Sequence, residues 1–306
     1  LFASSPRFGA KLIVARIVGH GLGVQPDPPA TLAGTTMSPS ISGAPMRTLI
    51  AIPVYNEQKH LAQVLEQVVP YAQFEDGSHD ATVLVIDDGS TDASPALLAH
   101  FPVEVIRHAT NRGYGRSMQD AFRWAAVDGF DWVVTIDCDE QHEPARIPDF
   151  LAAAARDDAD VISGSRYLSL SDENDVPPPD RRAINHRITV ELNDRLGLTL
   201  TDGFCGFKAY RTEAIAKLSL SESGYAFPMQ FWVEAVAHGL RIDELPVKLI
   251  YNDLNRSFGG PLNHASTREQ HYREVMHEAL RCRRDMLPER ALEGVEPATA
   301  CACHKS

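Results

Sequence analysis

From Arg47 onward, short apolar runs of strand length alternate with stretches of helical spacing, and this alternation limits the folds open to the chain more than any other feature. Strand-sized runs fall at residues 48–54, 81–86, 103–107, 132–137 and 160–163. Helical spacing falls between them, at 58–71, 91–100, 115–128 and 147–156. In the first of these Leu61, Val64, Leu65, Val68 and Val69 recur at the spacing that lines one helical face. Strands and helices in alternation predict an α/β domain built on a mostly parallel sheet.

With 306 residues, 44% of them hydrophobic, the chain can bury a substantial core. Residues 19–47 are an exception: Gly and Pro recur there among Ser, Thr and Ala, a composition too poor in apolar groups to pack. The expected organisation is therefore a disordered leader over 1–46, a folded domain over 47–260, and a C-terminal helix with a flexible tail over 261–306. Arg16 interrupts the one apolar stretch of the leader, which is too short for a signal-peptide core. The 29 Lys and Arg against 41 Asp and Glu give a net charge of −12, which argues against nonspecific nucleic-acid binding. Five cysteines are too few for a disulfide scaffold and suit a reducing, cytoplasmic setting. No run approaches the roughly 18 apolar residues of a spanning helix, so membrane contact is expected to be peripheral, on the cytoplasmic face.

Ligands of open α/β sheets bind beyond the carboxyl ends of the strands. Here those ends are polar: Tyr55-Asn56-Glu57, Asp87-Asp88-Gly89-Ser90, residues 108–112, and Asp137-Cys138-Asp139. Together they imply a site, although Asp, Asn, Gly and Ser are also plain turn formers. The sharpest stretch is DCDEQHEP, from Asp137 to Pro144. Two carboxylates two residues apart repel one another unless a cation intervenes, and hard oxygen ligands favour Mg²⁺ or Mn²⁺. Standing alone it would read as a solvated acidic turn. Cys138 and His142 do not make a zinc site, because no second ligand pair lies at zinc spacing.

Read in order, PVYNE (from Pro53), IDDGSTD (from Ile86), NRGYGRS (from Asn111), DCDEQHEP (from Asp137) and GSRY (from Gly164) resemble the family 2 glycosyltransferases. The nearest branch is the dolichyl- and polyprenyl-phosphate mannosyltransferases and glucosyltransferases. DGFCGFK from Asp202 and GYAF from Gly224 extend the resemblance, which covers roughly residues 48–260. It implies a single A-type glycosyltransferase domain, with a mostly parallel, Rossmann-like sheet flanked by helices and a C-terminal amphipathic helix.

The resemblance also implies roles. Pro53, Tyr55 and Glu57 would contact base and ribose, and Asp87 would accept hydrogen bonds from the base. Asn111, Gly113 and Gly115 would let the backbone approach the nucleotide. Asp137 and Asp139, with Gln141 as a third ligand, would hold Mg²⁺ or Mn²⁺ against the diphosphate of a donor such as GDP-mannose or UDP-glucose, the metal acting as a Lewis acid. Arg166 and either Arg181 or Arg182 would contact acceptor phosphate, a group that arginine binds through paired hydrogen bonds; the alternative for Arg181 and Arg182 is a plain surface position. The implied reaction is an inverting, metal-dependent hexose transfer to polyprenyl phosphate, with Asp139, Asp202 and Arg166 the catalytic candidates. A saccharide or other hydroxyl acceptor would need a base, for which Asp202 is the candidate. A sugar-nucleotide-binding protein without turnover is the third reading.

There are departures from the pattern. Phe258 stands where the branch carries lysine, leaving Arg256 to close over the diphosphate, and Gln230 stands where glutamate is common. Residues 268–286 have amphipathic spacing, with Tyr272, Val275, Met276, Ala279 and Leu280 on one stripe. That stripe could pack on the catalytic domain or dock on a membrane or membrane partner protein.

Overall fold

The computed structural model describes residues 14–15, 45–72, 80–169, 174–251 and 260–296. Eight strands form one sheet: β1 (Val14–Ala15), β2 (Arg47–Val54), β3 (Asp80–Asp87), β4 (Glu104–Arg107), β5 (Trp132–Thr135), β6 (Val161–Ser165), β7 (Lys208–Arg211) and β8 (Ile242–Pro246). Their order is β1-β4-β3-β2-β5-β7-β6-β8. β4, β3, β2 and β5 run parallel, as do β6 and β8; β7 is antiparallel to β5 and β6, and β1 to β4. All five predicted strands are present. β2 and β3 are buried on both faces, which is why they read as continuous apolar runs rather than alternating ones.

Helices cover both faces. α1 (Leu61–Val68), α2 (Ser94–Leu98) and α4 (Ile147–Ala155) pack Leu61, Leu65, Leu98 and Phe150 against Ile50, Ile52, Val85 and Val134. On the other face lie α3 (Tyr114–Asp128), α5 (Pro179–Leu196), α7 (Phe227–Ala237) and α8 (Ala265–Cys282), with the short α6 (Thr212–Ile215). The inner face of α5 is Ile184, Asn185, Ile188, Thr189, Leu192 and Leu196. Asn185 and Thr189 break its apolar stripe, which is why spacing alone does not reveal this helix.

The amphipathic C-terminal segment forms α8, whose Tyr272, Met276, Ala279 and Leu280 join the same core as α5 and α7. This helix's apolar stripe therefore packs on the domain. No helix among the described residues is long and apolar enough to cross a membrane. The expected leader, apart from Val14–Ala15, Pro45 and Met46, lies outside the described residues, as do Arg256, Phe258 and the tail from 297.

Candidate active site

A cavity of about 680 Å³ opens at the carboxyl ends of the parallel strands. Pro53, Tyr55 and Glu57 line it from the end of β2, Asn111 and Gly113 from the turn before α3, Asp137, Asp139 and Gln141 from the end of β5, and Arg166 and Arg181 from beyond β6 and from α5. The chain thus brings together most of the residues singled out from sequence. Asp87, Gly115, Arg182 and Asp202 do not line this cavity.

Two strand ends are stitched into one wall. Asn56, at φ +56, donates its N–H to Ser90 Oγ (3.0 Å), and its Oδ1 accepts from the N–H of Thr91 (2.8 Å). Glu57 N–H donates to Ser94 Oγ and Gln58 N–H to Asp92 Oδ2, both at 3.0 Å. Much of IDDGSTD is therefore spent holding PVYNE. Asp87 is fully buried: its Oδ1 folds back to accept Ser90 N–H (2.9 Å), and its Oδ2 lies 3.2 Å from Arg107 Nε without forming a hydrogen bond. The expected base contact of Asp87 thus rests on this one oxygen, while the neighbouring Asp88 lines the cavity.

Asp88 carries the next wall. Its Oδ1 accepts Arg112 N–H (2.7 Å) and its Oδ2 accepts Gly113 N–H (2.8 Å), fixing the turn that leads into α3. The same Oδ1 meets His108 Nδ1 at 2.6 Å, while His108 Nε2 meets Asp120 Oδ2 at 3.0 Å. Both ring nitrogens face carboxylate oxygens, which only accept, so the ring carries two N–H groups and a positive charge. Hydrogen bonds to Asp120 and Asp88 outweigh burial and push the His108 pKa up to about 9. The glycines of this turn also meet another part of the chain. A Cβ on Gly115 would sit 2.2 Å from the Glu222 carbonyl oxygen and one on Gly113 2.3 Å from that of Ser223, so what these glycines admit is the 222–224 backbone. Gln230 holds that segment from below, its Oε1 accepting the N–H groups of Ser221 (2.9 Å) and Glu222 (2.7 Å).

At the end of β5, His142 Nε2 lies 3.2 Å from Asp137 Oδ2, and Gln141 N–H donates to Asp139 Oδ1 (3.1 Å). A Cβ on Gly206 would lie 2.1 Å from Asp137 Oδ2, so the Asp137 carboxylate occupies space that only glycine leaves open. Thr135 Oγ1 donates to the Gly206 carbonyl (2.7 Å) and pins that backbone. Oxygen donors only, on a cradled carboxylate and its near neighbour, fit a hard divalent cation. Among the described residues no three His, Cys, Asp or Glu side chains form a metal cluster. Asp137 and Asp139 with the amide of Gln141 are the oxygen donors that would hold such an ion, the remaining coordination positions falling to ligand oxygens.

Across the cavity, Arg166 donates from Nε to Asp202 Oδ2 (2.6 Å) and from Nη2 to Asp202 Oδ1 (3.0 Å). Asp202 is fully buried and also accepts from Asn185 Nδ2 (2.8 Å) and Phe204 N–H (3.1 Å). Burial would raise its carboxyl, but the Arg166 guanidinium and these hydrogen bonds outweigh it and hold it well below the usual carboxylate range. A base must reach its proton and hold it near neutral pH, and Asp202 does neither; its geometry is that of a support for Arg166. Arg182 stacks on the Tyr167 ring, 3.7 Å from its centroid. With Arg166 and Tyr167 it lines a second cavity of about 590 Å³, walled by Val176, Pro177 and Pro179. Sequence reasoning missed Tyr114, Asn185, Arg268 and His271 as lining residues and placed Tyr272 in the core only. NRGYG could have pointed to Tyr114; the others sit on helices whose spacing speaks of packing.

A profile described as glycosyl transferase family 2 matches residues 49–219, over half of the chain. The chain belongs to that family and is a glycosyltransferase of the A-type fold. It is 30% identical over 220 residues to the undecaprenyl-phosphate mannosyltransferase of Micrococcus luteus, an alignment that covers 69% of this chain and 87% of that one. It is 27% identical over 233 residues to the polyprenol monophosphomannose synthase of Mycolicibacterium smegmatis, covering 73% and 85%. Glucosyl-3-phosphoglycerate synthase from Mycobacterium tuberculosis, crystallised with Mg²⁺ and UDP, aligns with a TM-score of 0.60 at 16% identity, covering 76% of this chain and 79% of that one. Its crystal structure with Mn²⁺, UDP and glucosyl-3-phosphoglycerate gives 0.59 at 17%, covering 76% and 80%. At such identity the likeness is one of fold.

Proposed function

We propose that the protein transfers a hexose, mannose or glucose, from a nucleotide diphosphate sugar to polyprenyl phosphate. One observation carries this reading: a single cavity is lined both by paired carboxylates, Asp137 and Asp139, and by arginines, Arg166 and Arg181. The carboxylates suit a cation bound to a diphosphate and the arginines a separate anion. The names of the Micrococcus and Mycolicibacterium relatives support the acceptor, and the Mg²⁺, Mn²⁺ and UDP of the structural neighbours support a metal and a nucleotide donor.

In this reading an acceptor phosphate oxygen attacks the anomeric carbon as the bond from that carbon to the donor diphosphate breaks, inverting the configuration. Arg166, held by Asp202, positions the acceptor phosphate, with Arg181 and Arg182 beside it. A phosphate acceptor is already ionised and requires no base. Asp202 does not line the cavity and both its oxygens are taken, which disfavours a hydroxyl acceptor with Asp202 as base. Pro53, Tyr55, Glu57 and Asn111 would hold the nucleotide. When bound, Mg²⁺ or Mn²⁺ would stabilise the charge developing on the leaving nucleoside diphosphate. The lipid acceptor implies work at a membrane surface, by peripheral contact on the cytoplasmic face or through a membrane partner.

The test supplies purified protein with GDP-mannose or UDP-glucose, Mg²⁺ or Mn²⁺, and detergent-dispersed polyprenyl phosphate, and measures sugar extracted with the lipid. Metal-dependent lipid-linked sugar is expected. Transfer to saccharides alone, or none to lipid across donors, overturns the proposal.

A further inference from the structure

His108 lies at the end of β4, buried, and outside every role described for the reaction. We infer that it is a positioning residue for donor binding: as an imidazolium clamped between Asp88 and Asp120, it fixes the carboxylate that carries the 111–113 turn. The inference rests on the reading of this cavity as the donor site.

The contacts carry the argument. Asp88 is almost fully buried, and among the described residues His108 is the one cation within ion-pair distance of it. A buried carboxylate without a cationic partner is costly, and it lowers that cost by shifting or by taking up a proton. Either change would release the N–H groups of Arg112 and Gly113, and with them the turn whose Asn111 and Gly113 line the cavity. Gly113 sits at φ +100, one of several conformations open to glycine, and the Asp88 hydrogen bonds select it. The far side of the ring is set by α3: Asp120 takes His108 Nε2 together with Arg116 (2.8 Å) and Arg123 (3.5 Å), which draw on Asp120 and not on Asp88. His108 alone joins the two carboxylates, so losing its proton breaks at least one of the two links. The pKa of about 9 places that loss above neutral pH.

The experiment is calorimetric binding of GDP and of UDP, each with Mg²⁺, to wild type, H108Q and D120N between pH 7 and 9.5. For wild type, affinity for the nucleotide that binds is expected to fall as pH rises through about 9. H108Q should bind about tenfold or more weakly at pH 7, the scale of a lost charge-assisted hydrogen bond. It should then show only the pH dependence of the nucleobase, which loses its own proton in this range and so sets the baseline. D120N removes the larger of the two influences raising the His108 pKa and should move the wild-type decline down by about one unit, an effect a merely structural role does not produce. In turnover assays with the donor that proves active, the H108Q loss should appear in donor KM with kcat within about twofold. H108Q affinity and pH profile equal to wild type overturn the inference, as does a D120N profile that does not move; D120N also decides the matter where H108Q fails to fold. Binding of neither nucleotide by wild type overturns the donor-site reading itself, and the inference with it.

Discussion

Replacing Gly206 with Ala tests how the Asp137 carboxylate is placed. The new Cβ would lie 2.1 Å from Asp137 Oδ2 and 2.6 Å from its Cγ, whereas ordinary contact begins at 3.4 Å, so something must give by about 1.3 Å. Gly206 does not have a left-handed φ, so alanine is tolerated by the backbone. Its carbonyl is tied to Thr135 Oγ1 at 2.7 Å in the middle of the sheet, so the backbone does not retreat. The carboxylate, about 29% exposed and facing the cavity, is the softer partner and swings away, breaking its 3.2 Å contact with His142. A misplacement of about 1 Å at a reacting centre costs on the order of 10²-fold in rate. G206A should therefore lower metal-dependent turnover about a hundredfold and weaken Mn²⁺ binding measured by calorimetry in the presence of nucleotide diphosphate, with a thermal midpoint close to wild type. The double variant G206A/D137A should be no worse than D137A, because both act through one carboxylate. Wild-type Mn²⁺ binding and rate in G206A, with the fold intact, would refute the reasoning.

Four further outcomes are expected. D139A should abolish metal-dependent donor binding, and unchanged binding by calorimetry removes its metal role. R166K keeps the charge but loses the two-pronged contact with Asp202, so KM for polyprenyl phosphate should rise about ten- to a hundredfold while nucleotide binding is unchanged. His108 has a folded pKa of about 9 against an ordinary 6.5, so its stabilisation is complete below pH 6.5 and is lost as pH rises through about 9. It is worth at most about 3 kcal/mol, and urea midpoints at pH 6.5, 8 and 9.5 should fall in wild type and stay flatter in H108Q. M276A removes a fully buried side chain at the seat of α8 and should cost about 2–5 kcal/mol in chemical denaturation, whereas a C-terminal helix independent of the core would show almost no loss.

Sequence reasoning reached the central strands because β2 and β3 are buried on both faces, and it reached the cavity because strand ends with little apolar character follow them directly. It drew attention to Asp137, Asp139 and the end of PVYNE for that reason, and to Arg166 through the family resemblance. It missed α5, whose buried face includes Asn185 and Thr189, and β7, because Lys208-Ala-Tyr-Arg211 carries a charge at each end and does not read as an apolar run. It did not separate Asp87 from Asp88, because adjacent carboxylates look alike until the chain shows which one folds under its own turn. Asp202 read as a base for a similar reason: an acid in a motif does not announce that both its oxygens are already taken. Gly113 and Gly115 signalled close approach correctly, but the approaching group is another part of the same chain.

That approach has a consequence for engineering and for inheritance. The carbonyl oxygens of Glu222 and Ser223 fill the space where Gly115 and Gly113 lack side chains, so the turn before α3 and the 222–224 backbone meet with no room for a side chain between them. The two stretches are keyed together at this point, so a change in one must suit the other. A chimera that joined the first half of one relative to the second half of another would assemble only if both glycines and the matching 222–224 backbone travelled together, and selection for a new acceptor must work by altering side chains around this joint while leaving the joint itself in place.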